Sequence, residues 1–314
     1  MYPQTSLNPM VLGRYAGFLS GAGYEDVDGV RHQVGANAHD GTATFNGGKR
    51  GWGRVDWEVP YHSDNSILFV HFDHKKNGFP GIFVGCITHT VYANEWHIGY
   101  GVTPLLAEGG PLNLGQQVFF NLDGLKGGNG TSNVGNTVLD HKLHLPLSGM
   151  RFGFDELGIP TGDLLGNRKG KEHDFWSGPK AMGDSLNSNT RDSSYDETFM
   201  LSHRHSDDKR EHPVAILASN RTGISMEVYT DQDALHVQTW GQKNGPLKLK
   251  DSQGEGVVPT HGAISLEQGD WPDGVNHPEW LHRKTLWGNL DIYNGYVAYK
   301  FKVDRKEEEE PPRT

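Results

Sequence analysis

Apolar and polar residues alternate along this chain with a period of two, in short runs broken by glycine, asparagine, aspartate and proline. The clearest run is Tyr296 to Val303. Val297, Tyr299, Phe301 and Val303 point one way, and Lys300 and Lys302 the other. Phe83 to Tyr92 repeats the pattern, with Phe83, Gly85, Ile87, His89 and Val91 on one side. Ser66 to Phe72, Ser225 to Thr230 and Ala234 to Trp240 continue it. Side chains alternate between the two faces of a strand, so each run reads as a strand with one face buried. With 42 glycines and 16 prolines spread over the whole length, no helical stripe exceeds about three turns. The pattern predicts an all-β fold, a large antiparallel β-sandwich. Asp28-Gly29 is placed to turn a hairpin between Tyr24-Glu25 and Arg31-His32. No repeat of fixed period suggests a propeller, and no Ser/Gly linker divides the chain. One domain over 1–304 is expected, followed by a disordered acidic tail over 305–314.

Composition excludes several functions. A formal charge of −10 disfavours nucleic acid as a partner. No stretch approaches the ~20 apolar residues of a membrane span, and Met1 to Leu12 lacks the pattern of a signal peptide. Cys86 is the only cysteine, which fits a reducing compartment, so the cytoplasm is expected. The sequons at Asn129 and Asn220 then read as chance matches. Phosphate-loop, nucleophile-elbow and zinc-protease patterns are absent from the sequence. Asp26-Val27-Asp28-Gly29 begins like a calcium loop but lacks the glutamate at loop position twelve, so a hairpin turn is the better reading. Among 17 histidines, His203/His205 and His141/His144 are two closely spaced pairs. Both pairs sit among polar residues, and surface or hydrogen-bonding roles are expected rather than metal ligation.

Carboxylates carry more chemistry. Glu267 lies inside the apolar run Ala263-Ile264-Ser265-Leu266-Glu267-Gln268. A glutamate there faces water, pairs with a cation, or is held at a raised pKa useful for proton transfer. Asp196 opens the strand-like Tyr195 to Leu201 and reads by itself as a cap or turn residue. Gln116 and Gln117 precede Phe119 and Phe120 and raise the question of why two amides lead an aromatic strand.

These segments together resemble the aldose 1-epimerase (galactose mutarotase) family. Asn8-Pro9-Met10-Val11-Leu12-Gly13-Arg14-Tyr15-Ala16 resembles, in shortened form, the family's NPYxGxxxGRYANRI region. Phe45-Asn46-Gly47-Gly48-Lys49-Arg50-Gly51-Trp52 resembles LHGGxxGF, and Phe119-Phe120-Asn121-Leu122 resembles the end of NHSYFNL. Tyr195-Asp196-Glu197-Thr198-Phe199 resembles YDHNF. Ile264-Ser265-Leu266-Glu267 through Asp273-Gly274-Val275-Asn276-His277-Pro278 is similar to LExQxxPDxxNHP. Leu139-Asp140-His141 and Pro160-Thr161-Gly162-Asp163 resemble fungal members. The resemblance implies a β-sandwich with a concave sugar-binding face and no cofactor. It implies that α and β anomers of an aldose are interconverted by a glutamate base and a histidine acid. Glu267 falls on the base, and Asp196 on a ligand of the sugar hydroxyls.

The departures lie at the acid. Gln117 stands at the position of the family's acid histidine, Asn46 at that of a second histidine, and Gly17-Phe18 replace the Asn-Arg after Arg14-Tyr15-Ala16. An amide donates a hydrogen bond but gives up no proton near neutral pH. The resemblance implies that Met1 falls where the family's first ~50–60 residues would be complete, so an early edge strand pair is expected to be absent and a neighbouring subunit to cover the gap. Glu267, Gln117 and Asn46 are therefore the candidate catalytic residues, with Arg14, Phe18, Asp196 and Phe119 as candidate substrate contacts. The expected partner is a small sugar or cyclic metabolite. Three functions remain open: an isomerase with altered acid chemistry on a sugar or sugar-like hemiacetal or carbonyl compound, an enzyme of specialised metabolism that cyclises or rearranges an apolar substrate, and a carbohydrate-binding protein without turnover.

Overall fold

The computed structural model describes residues 11–106, 108–125, 137–186, 194–202, 210–241, 244–282, 286–288 and 291–304. Two large sheets dominate. One has nine strands in the spatial order Lys180–Ala181, Lys142–His144, Ala215–Ala218, Ile224–Thr230, Tyr293–Val303, Glu95–Pro104, Ile82–Val91, Ser66–His74 and Glu58–His62. The other has six, in the order Phe119–Phe120, Ile264–Gly269, Ala234–Thr239, Asp196–Met200, Met150–Phe154 and Pro160–Gly166. Neighbours within both sheets pair antiparallel. The described helices are short 3-10 turns, as the broken alternation requires.

The faces read from the sequence form the core. Phe83, Ile87, Ile98, Val102, Val297, Tyr299, Met226 and Val228 of the nine-stranded sheet belong to one buried cluster with Leu235, Val237, Ile264, Leu266 and Phe199 of the six-stranded sheet. Each fully buried side chain of this size is worth about 1.5–3 kcal/mol of transfer free energy. The alternation outlasts the core at one end: Val303 is 63% exposed and continues the strand beyond the facing sheet.

Local expectations can be placed. Gly23–Glu25 pairs with Arg31–Gln33, and Gly29 takes φ 76° in the connecting turn. The Asp26 carboxylate accepts the N–H groups of Asp28 and Val30, so the turn is closed by its own aspartate. His141 is fully buried and its Nε2 accepts the N–H of Leu122 at 3.1 Å, whereas His144 Nε2 lies 3.4 Å from the Trp176 carbonyl. These two imidazoles serve different neighbours. His203, His205, Asn129 and the acidic tail lie outside the described residues. Among the described residues no helix is long and apolar enough to cross a membrane.

Candidate functional site

Strand register decides which polar residues meet. In Ile264–Gly269, Leu266 and Gln268 face the sandwich interior, so Glu267 and Ser265 face the other way. His236 is directly opposite Glu267, and Thr198 is directly opposite His236. Directly paired residues project from the same side of a sheet, with Cβ atoms about 4.5–5.5 Å apart. Phe119, Ser265, Gln238 and Asp196 form the adjacent row on that face.

Hydrogen bonds knit the rows together. Gln117 Nε2 donates to Gln238 Oε1 at 2.9 Å, and Gln238 Nε2 donates to Asp196 Oδ1 at 3.3 Å. His236 Nε2 lies 3.1 Å from the same Asp196 oxygen, and its Nδ1 lies 3.0 Å from Thr198 Oγ1. Asn244 Nδ2 supports Gln238 from the far side at 3.4 Å. Inside this frame Glu267 is half-buried, and among the described residues no hydrogen bond reaches its carboxyl. Ser265, fully buried on the same face, has a hydroxyl without a partner among the described residues. Gly115 makes the close approach possible: a Cβ there would lie 2.6 Å from Glu267 Oε1.

The environment sets the charges. Burial pushes the Glu267 carboxyl up to about 7, the Asp196 charge pushes the same way, and His236 opposes both. For His236, burial alone favours the neutral ring. The hydrogen bond and charge of Asp196, helped by Glu267 and Glu197, outweigh burial and raise its pKa. The sign for stability follows. Because folding raises the Glu267 pKa from 4.5 to about 7, the folded state holds the proton more tightly, and stability falls as pH rises across that interval. Glu267→Gln removes the ionisation. The variant is expected to match the parent near pH 5 and to exceed it at pH 8 by on the order of 1 kcal/mol, allowing for partial contact with water. Urea unfolding at the two pH values checks this.

The paired glutamines divide the work. Gln116 is fully buried and turns inward, where its Oε1 accepts from the Tyr100 hydroxyl at 3.3 Å. Gln268 Nε2 donates to that hydroxyl at 2.9 Å, and Tyr299 donates to Gln268 Oε1 at 3.4 Å. This buried network pins the strand beside Glu267 from below, while Gln117 enters the outer frame.

Of the other expected contacts, Phe119 borders the site, and Arg14, Asn46 and Phe18 lie elsewhere. Arg14 is 1% exposed; its guanidinium pairs with Asp73 at 3.2 Å, donates to the Pro80 and Gly81 carbonyls and lies over the Phe83 ring at 4.5 Å. It neutralises a buried carboxylate that also accepts from Trp52 Nε1. Nothing in that geometry presents it to a ligand. Asn46, at φ 48°, closes a turn by accepting the Gly17 N–H at 2.8 Å, and none of its hydrogen bonds among the described residues reaches Gln117 or Glu267. Phe18 packs on Phe45 and His39, with Gly158 of the Phe154-to-Pro160 turn close by. Phe119 meets Trp240 edge-on at 5.1 Å. Beside Trp240 lies a cavity of about 250 Å³ that Pro246 and Val258 also line. On the opposite flank Trp271 and Trp280 pack over Phe152, Met200 and Ala234.

The structure thus brings together Gln117, Asp196 and Glu267, leaves Arg14 and Asn46 in neighbourhoods of their own, and adds His236 and Gln238. The signal for these two was their shared parity in Ala234 to Trp240, but parity does not say which strand lies alongside. A second cluster, Asp233, Asp270 and His282, has ligand atoms within 4.8 Å of one another. His282 Nε2 already bonds Asp270 at 2.6 Å and its ring stacks on Trp271 at 3.9 Å, the arrangement of a hydrogen-bonded, ring-stacked histidine.

Known proteins resemble this chain in sequence and fold. The sequence model described as aldose 1-epimerase matches residues 3–286. The chain belongs to the aldose 1-epimerase family. Epimerase FSL3 of Gibberella zeae is 49% identical over 326 aligned positions, covering 98% of this chain and 75% of that protein. Human galactose mutarotase is 27% identical, covering 93% and 78%. Among solved structures, the aldose epimerase homologue of C. elegans superposes with a TM-score of 0.80 at 20% identity, over 96% of this chain and 85% of that one. The aldose 1-epimerase sandwich is therefore the fold of this chain; the alternation predicted an antiparallel β-sandwich, and the motif resemblance implied its type.

Proposed function

We propose that this protein is an isomerase of the aldose 1-epimerase type that interconverts the two anomers of a cyclic hemiacetal, with Glu267 receiving the proton of the anomeric hydroxyl. One observation carries the reading: a half-buried carboxyl with no hydrogen-bond partner among the described residues, poised near neutrality, stands inside a frame of polar side chains. A proton acceptor works best when its pKa lies near the operating pH. Removal of the hydroxyl proton lets the C1–O5 bond break, the chain rotate about C1–C2 and the ring reclose on the other face. Gln117, Gln238 and Asp196 supply donors and acceptors that orient neighbouring hydroxyls. Proton transfer between oxygens requires no cofactor. The name of the 49% identical relative, an epimerase, supports the same class.

The flanks favour a second reading of the substrate. Trp271 and Trp280 on one side, and Phe119 with Trp240 on the other, suit a hemiacetal ring that carries apolar substituents. Polarimetry on freshly dissolved α-galactose and α-glucose, run beside an alkyl-substituted cyclic hemiacetal, separates the two. A plain sugar equilibrated well above the buffer rate supports an aldose substrate. Acceleration confined to the substituted compound supports the apolar reading, and acceleration of neither removes the isomerase.

A further inference from the structure

The frame around Glu267 contains an imidazole, but not one that is free to act on the substrate. His236 is directly opposite Glu267, yet its Nε2 is engaged by Asp196 at 3.1 Å and its Nδ1 by Thr198 at 3.0 Å. On the other side, Gln117 offers only an amide, and its Nε2 is turned to Gln238. Ring opening still needs a proton at the ring oxygen, because an alkoxide leaving group is costly in a half-buried site.

The Glu267 carboxyl answers this by itself. Neither of its oxygens is taken by a hydrogen bond among the described residues, and the missing side chain at Gly115 lets Oε1 lie against that backbone without a clash. In a hemiacetal the hydroxyl oxygen O1 and the ring oxygen O5 are bonded to the same carbon, so their separation is close to that of the two oxygens of a carboxyl group. Resting on the isomerase reading above, we propose that Glu267 is both base and acid, one carboxyl oxygen accepting the O1 proton while the other gives its proton to O5. In that step the C1–O5 bond breaks and C1=O1 forms. One proton moves from O1 to the carboxyl and another moves from the carboxyl to O5. The carboxyl ends protonated on its other oxygen, so no second acid and no co-reactant is consumed. Reclosure runs the same exchange backwards on either face of the carbonyl.

His236 is then a positioning residue that acts through charge. Held by Asp196 and Thr198, with Glu197 also acting on it, the imidazolium opposes the effect of burial on Glu267 and keeps both protonation states available near neutrality. This explains how amides at 117 and 238 can suffice where an acid would otherwise be needed.

The test is kcat/KM for anomer exchange from pH 5 to 9, with the buffer rate subtracted, for the wild type and for His236→Gln, together with a proton inventory of the wild type in H₂O/D₂O mixtures. The reactive form carries the proton, so wild-type kcat/KM is expected to fall above about pH 7, approaching tenfold per unit. In His236→Gln the falling limb is expected to persist and move to higher pH, because a positive charge beside the carboxyl is gone. Two protons in flight are expected to bend the inventory. A kcat/KM that rises through pH 7, a limb that vanishes with His236, or a linear inventory would each overturn the proposal while leaving the isomerase intact. Wild-type protein that exchanges no hemiacetal overturns the isomerase reading and this inference with it. Should His236→Gln fail to fold, the wild-type profile and inventory decide.

Discussion

Replacing Glu267 with Gln is expected to lower kcat for anomer exchange about 10²–10⁴-fold, the range for loss of a positioned proton-transfer group. Size and polarity are kept, so Gln117, Gln238, Asp196 and His236 keep their mutual hydrogen bonds. What is lost is the ability to take up and return a proton. KM is expected to change little, since an amide still offers hydrogen bonds to the substrate. The same substitution is expected to stabilise the fold at alkaline pH, because burial penalises the carboxylate. Opposite effects on activity and stability at one residue mark a group held in place for chemistry. Equal kcat in the variant and the parent would place the proton transfer elsewhere.

Replacing Arg14 with Met is expected to destabilise the protein by about 3–5 kcal/mol, because it leaves the Asp73 carboxylate buried without its cation. Both side chains are within a few per cent of full burial, so little water can screen the loss. The guanidinium also serves the Pro80 and Gly81 carbonyls, which lose their donor together. The urea midpoint measures the loss. At a temperature where the variant remains folded, kcat and KM are expected to stay within about twofold of the parent, since the described contacts of the guanidinium include none of the residues around Glu267. A raised KM with unchanged stability would instead make Arg14 a substrate ligand.

The contrast between these two residues shows what a sequence can disclose. Strand faces were legible because burial imposes a period of two on neighbouring residues: Phe83 and Ile87 point inward as their alternation says. Glu267 was legible because a carboxylate in an apolar run needs an explanation. The company it keeps was not. His236 meets Glu267 only through the register of two strands, and a shift of one residue would turn it to the other face. Arg14 finds Asp73 across 59 positions, and nothing local to either residue announces the pair. Asn46 lies in a Gly-Gly segment that motif resemblance ties to the site, while in the fold it holds a turn through Gly17. The glutamine pair held a similar ambiguity. Adjacent strand residues face opposite ways, so Gln116 and Gln117 had to part, but only the packed sheets show which one enters the core.

Magnetisation-transfer NMR on an equilibrium mixture of hemiacetal anomers bears most directly on the role given to Glu267. Saturating the H1 resonance of one anomer is expected to diminish that of the other in the presence of wild-type protein and to leave it unchanged with Glu267→Gln. Transfer of equal size with both proteins would contradict the account, as would its absence with both across plain and alkyl-substituted hemiacetals.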